Sequence, residues 1–122
     1  MTKLLDLDFL YSLAENDHNY IHDVVTLYLN NVPKGLTKLE ALVNDNQDYE
    51  GIRQQAHALK SSAGIIKVRD MYDGLVHLEA AAKDKKGKDV TKPILNDILK
   101  NFRAAVPLLE EVRENNSPES KK

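Results

Sequence analysis

The chain has 122 residues, enough for one domain with a single core, and 42% hydrophobic with 30% charged residues describes a folded protein rather than a disordered one. A net charge of −2 with scattered lysines and arginines argues against a nucleic-acid surface, and few aromatics with no tryptophan argue against base-stacking platforms. There is no cysteine for disulfide or thiol chemistry, no apolar run near the ~18 residues of a membrane span, and no signal-peptide core in MTKLLDLDFLYSLAEND, so a cytoplasmic chain is expected.

Apolar residues recur at a helical period and no stretch alternates as a strand does. A short first helix is predicted over about Asp6 to Glu15, burying Leu7, Leu10, Tyr11 and Ala14. Asp17 suits the N-cap of a long second helix, whose apolar phase runs Ile21, Val24, Val25, Tyr28, Leu29, Val32, Leu36, Leu39 and Leu42 or Val43. The phase survives Pro33, so one helix with a local kink at Pro33, Lys34 and Gly35 is favoured over two helices meeting there. NDNQD at 44 to 48 ends it, and Asp48 caps a third helix.

The third helix places Ile52, Ala56, Leu59, Ala63 and Ile66 at spacings of four and three, the pattern of a helix packed in a bundle. A break near Lys67 to Arg69 leads to a fourth helix burying Met71, Leu75, Leu78 and Ala82. KDKKGKD (83 to 89) reads as a solvated turn centred on Gly87. A fifth helix, entered through Asp89 or Thr91 and Pro93, carries Ile94, Leu95, Ile98, Leu99, Phe102, Val106, Leu109 and Val112, with a bend at Pro107. The expected organisation is one domain over 1–114 and a disordered polar tail over 115–122. Short connections between four substantial helices predict an all-α, up-down-up-down four-helix bundle with a short extra N-terminal helix.

One stretch of the third helix, QQAHALKSSAG (54 to 64), is unusual for a chain rich in helix formers. Serine and glycine cost up to ~1 kcal/mol each in a helix relative to alanine. With Ile52, Ala56, Leu59, Ala63 and Ile66 facing the core, Arg53, His57, Lys60 and Gly64 form a stripe about 100° around the cylinder, and Gln54 and Ser61 flank His57. The imidazole is expected on the flank of the bundle. Cations at Arg53 and Lys60 are expected to keep the ring neutral and nucleophilic, and to favour a phosphoryl group placed on it. The small residues at 61 and 64 leave room for another protein to approach.

AHALKSSAGIIKV (56 to 68) resembles the histidine-containing phosphotransfer domain, whose motif is a helical His-x-Leu-Lys-Gly/Ser-Ser. Met71, Leu75 and the pair Leu78-Glu79 sit where that family has an apolar residue, a small or apolar residue, and Leu-Glu. YLNNVPKGLTKLEAL (28 to 42) resembles its stretch from an aromatic-leucine pair through a proline into spaced leucines, so the likeness covers most of residues 7 to 82. Ser61 stands where the family often has glycine. Lys67 stands where many members have another glycine, and Ile65 and Ile66 make that corner bulkier.

The resemblance implies a phosphorelay intermediate with His57 as phosphoryl acceptor and Lys60 as the cation on the phosphoryl oxygens. Arg53, Gln54, Ser61 and Gly64 would line the surface docking response-regulator receiver domains, among them those of a hybrid sensor histidine kinase. Phosphoryl transfer rests largely on positioning and charge stabilisation, which suits so sparse a site. No cofactor of its own is expected, Mg²⁺ belonging to the receiver, and the absence of a Gly-rich phosphate loop predicts a carrier that does not use ATP itself. Neither nucleic acid nor membrane is expected as a partner. The competing reading is a helical adaptor that never carries phosphate. A metal site at His18 and His22 would have two ligands on an exposed first turn.

Overall fold

The computed structural model describes residues 3–46 and 48–117. In chain order they form β1 (Leu5–Asp6), α1 (Asp8–Ala14), α2 (His18–Ala41), a π-helical turn (Leu42–Asn46), α3 (Tyr49–Ile65), β2 (Lys67–Val68), α4 (Met71–Lys83) and α5 (Lys88–Asn115). Each long helix packs on the next, α2 on α3, α3 on α4 and α4 on α5, and α5 returns to α2. The all-α bundle is therefore a closed ring of four helices, with α1 laid on α2.

The core is built from the positions that the helical period marks. Ile21, Val25, Tyr28, Val32, Leu36 and Leu39 of α2 face Ile52, Ala56, Leu59 and Ala63 of α3. Met71, Leu75 and Leu78 of α4 and Leu95, Ile98, Phe102 and Leu109 of α5 complete it. Removing each of the larger aliphatic side chains from water contributes about 1.5–3 kcal/mol, enough to override weak local preferences. Thus α2 runs through Pro33 as one helix, and α5 through Pro93 and Pro107. Both predicted aspartate caps form: Asp17 Oδ1 accepts from the Tyr20 N–H at 3.1 Å and Asp48 Oδ1 from the Gly51 N–H at 3.0 Å.

Several expectations are corrected. Asp6 does not open the first helix; Leu5 and Asp6 pair antiparallel with Val68 and Lys67, and the Leu4 carbonyl accepts from the Arg69 N–H at 2.8 Å. The Asp6 carboxylate accepts from the Asp8 N–H at 2.9 Å, which starts α1 two residues later than predicted. Tyr11 is 44% exposed, because α1 has only two turns and buries Leu10 and Ala14, four residues apart, turning Tyr11 outward. Lys67, in place of a glycine, needs no glycine-like backbone: it is extended and exposed, with its ammonium 5.8 Å from the centroid of the Phe9 ring.

The turn after α4 is also built differently. Lys85, not Gly87, takes the left-handed conformation (φ 58°). Its N–H bonds the Ala82 carbonyl at 3.0 Å, and that of Lys86 bonds Ala81 at 2.9 Å, the paired closure of a Schellman motif. Gly87 is instead the N-cap of α5, which begins at Lys88, ahead of both Asp89 and Thr91. Thr91 is fully buried, and its hydroxyl bonds back to the Gly87 carbonyl. Of the expected tail, Asn115 closes α5 and Asn116 is its buried C-cap, with Oδ1 2.6 Å from His18 Nδ1. Residues 118–122 lie outside the described residues.

Candidate functional site

The predicted stripe is present. His57 stands on the outer face of α3 with its side chain 67% exposed, and Ala56 and Leu59, buried on either side, fix the helix beneath it. Lys60 lies in the groove between α3 and α4, and Ser61 is exposed with its hydroxyl returned to the Ala58 carbonyl. Gly64 borders a surface hollow of about 540 Å³ shared with Lys67, Arg69 and Tyr72. A methyl group built on Gly64 would meet no atom of the described residues within 4 Å beyond its chain neighbours and the backbone of its own helix, whereas the same methyl on Gly35 or Gly74 would strike Leu59 or Ile98. Nothing in this chain's own packing calls for a bare position at 64.

A residue of α4 completes the site. Glu79 Oε2 is 2.8 Å from His57 Nδ1, and Glu79 Oε1 accepts from Lys60 Nζ at 2.9 Å. The lysine hydrogen bond, then that of the histidine, hold the Glu79 carboxyl below the usual carboxylate range against some desolvation. An ionised carboxylate only accepts, so Nδ1 carries the proton and donates it, and in the neutral ring the lone pair is on Nε2. One anion thus orients the ring and engages the neighbouring ammonium.

This corrects the expectation that the charge beside His57 comes from Arg53 and Lys60, since the carboxylate of Glu79 lies closest to the ring. Lys60 is engaged by Glu79, and Arg53 turns back along its own helix to Glu50, with Nε 3.1 Å from Oε2. Gln54 also donates to Glu50, at 3.1 Å, so Arg53 and Gln54 form a polar cluster one turn before His57. The sequence did carry a signal for Glu79. A helical hairpin turning about Val68 sets residues equally far on either side level with each other, pairing 57 with 79 and 64 with 72. Glu79 also adjoins the core residue Leu78, which places it at the edge of the α3 contact.

The other histidines are elsewhere. His18 bonds Asn116, His22 lies 3.2 Å from Asp23 Oδ1, and His77 is exposed on α4. Among the described residues, no group of three or more His, Cys, Asp or Glu is placed to hold a metal ion, and no helix is long and apolar enough to cross a membrane.

The structure puts His57 exposed on the flank of a four-helix bundle, as the helical spacing predicts, and adds a carboxylate at Nδ1 that the spacing does not. The model of the Hpt domain family matches residues 23–114. This chain belongs to the Hpt family. A search of curated proteins and one of solved structures found no match to it. Hpt domains are phosphocarrier modules that interact with the receiver domains of response regulators and hybrid kinases, so the chain has a phosphotransfer role in phosphorelay signalling.

Proposed function

We propose that this Hpt domain accepts a phosphoryl group on His57 Nε2 from the aspartyl phosphate of one receiver domain and passes it to a second receiver. The observation that carries the proposal is the His57–Glu79 contact, which puts the proton on Nδ1 and leaves the Nε2 lone pair toward solvent. In the forward step that lone pair attacks phosphorus in line while the aspartyl carboxylate leaves. The reverse step returns the group. Glu79 is a positioning residue, since it acts through the ring, and Lys60 supplies the nearby positive charge. Mg²⁺ would be held by the receiver, and the reaction would take place in the cytoplasm.

Docking would use the surface around Ser61 and Gly64, with Arg53 and Gln54 at its edge. A groove of about 260 Å³ beside Ser62, lined by Val24, Leu27, Tyr28 and Ile65, gives that surface an apolar side. Ser61 and Gly64 present no bulk that would hold a partner's backbone away.

The test is incubation with a panel of receiver domains carrying radiolabelled aspartyl phosphate. Acid-labile, base-stable label is expected on the wild type and none on folded His57→Gln. Lys60→Ala should slow transfer, and Ser61→Trp should block it by sterics. Absence of label on the folded wild type from every receiver would overturn the reading and leave a helical adaptor.

A further inference from the structure

Glu79 has a second consequence, which rests on the reading of His57 as acceptor. We propose that Glu79 limits how far the transfer equilibrium lies toward phosphorylated His57, by competing with the phosphoryl group for Lys60.

Both oxygens of this carboxylate are engaged, Oε2 by the ring and Oε1 by the ammonium. The side chains of Glu79 and Lys60 are 20% and 21% exposed, against 67% for His57. The pair is therefore seated in the α3/α4 groove while the ring projects beyond it. Arg53, the other cation of the stripe, is held by Glu50. The ammonium closest in sequence to the acceptor is committed to an anion before any phosphoryl arrives.

In the transfer step a bond forms between Nε2 and phosphorus as the bond from phosphorus to the aspartyl oxygen breaks, and the donor carboxylate leaves with the electron pair. Nδ1 keeps its proton, so the ring becomes a cation bearing a dianionic phosphoryl. Glu79 acts on this product with opposite signs. It attracts the ring cation at hydrogen-bond distance, and it repels a doubled charge at roughly twice that distance, on the far side of the ring. Coulomb energies scale as charge over distance, so these two effects offset to first order. What remains is Lys60. A dianion on Nε2 and the carboxylate of Glu79 draw on the same ammonium, and the share that Glu79 retains is stabilisation that the phosphohistidine lacks. A carrier has to release its cargo, and Glu79 keeps it releasable.

The experiment measures the equilibrium constant for transfer between a labelled receiver and this protein. Glu79→Gln retains an oxygen that accepts from Nδ1–H and removes the charge that holds Lys60. The expected shift is roughly five- to tenfold toward phosphorylated His57, the scale of one charge-assisted hydrogen bond near the surface. Lys60→Ala should shift the constant the other way, and in that background Glu79→Gln should have no further effect. An unchanged constant in Glu79→Gln, a shift toward the receiver, or the same shift without Lys60 would each overturn the inference. The His57 assignment fails separately, by absence of label on the wild type or by label that survives His57→Gln.

Discussion

Gly64→Ala tests why the third helix carries a bare position in its last turn. Glycine is about 1 kcal/mol less favourable than alanine within a helix, and Gly64 lies in the last turn of α3, so a gain of ~0.5–1 kcal/mol is expected. Nothing within 4 Å opposes the new methyl group. For a chain of 122 residues, an unfolding entropy of about 2.1 cal/mol/K per residue converts that gain into a rise of roughly 2–4 °C in Tm. Gly74→Ala is the matched control. There the methyl would lie 2.7 Å from Cγ1 of Ile98, which is 1% exposed and has nowhere to move. Overpacking costs ~1–3 kcal/mol and exceeds the same propensity gain, so Tm should fall by several degrees. Thermal melts followed by circular dichroism decide the matter. A fall in Tm for Gly64→Ala would refute the reasoning, because it would mean that the backbone at 64 needs glycine for this fold. Gly64→Trp carries the functional half: the protein should stay folded and still react with a small phosphoryl donor at His57, while transfer from receivers slows.

Lys85→Gly should raise stability by ~0.5–1 kcal/mol, since it relieves a left-handed Cβ at φ 58° while keeping both hydrogen bonds of the Schellman turn; urea melts would show it. Glu79 links the site to acid stability. Its carboxyl lies below the ordinary 4.5 in the folded state, chiefly through Lys60, so its stabilising contribution is present above 4.5 and lost as pH falls through the lower folded value. Wild type should therefore be more stable than Glu79→Gln at neutral pH, and their melts should converge in acid; a difference that persists at low pH would rule the linkage out.

Most of the bundle was legible because its signal is local. The residues 52, 56, 59, 63 and 66 needed only the helical period to be placed inside, and Asp17 and Asp48 needed only the unsatisfied N–H groups of the next turn. His57, Lys60, Ser61 and Gly64 came from the same arithmetic on one helix. The missed features join segments far apart in the chain. The pairing of Leu5 with Val68 spans too few residues to leave an alternating pattern, and the αL role of Lys85 goes to a residue that local preference would pass over for Gly87.

The sequence alone determined the helices, their buried faces and the histidine stripe, since each follows from the repeat of one helix and the chemistry of its side chains. Only the tertiary structure decided what the histidine faces. The hairpin of α3 and α4 carries Glu79 across 22 residues of chain to the ring and to Lys60, and that juxtaposition fixes the proton on Nδ1. Hydrogen bonds and ion pairs act over a few ångströms in space, whatever the separation in sequence, so the charge around the acceptor was settled by packing.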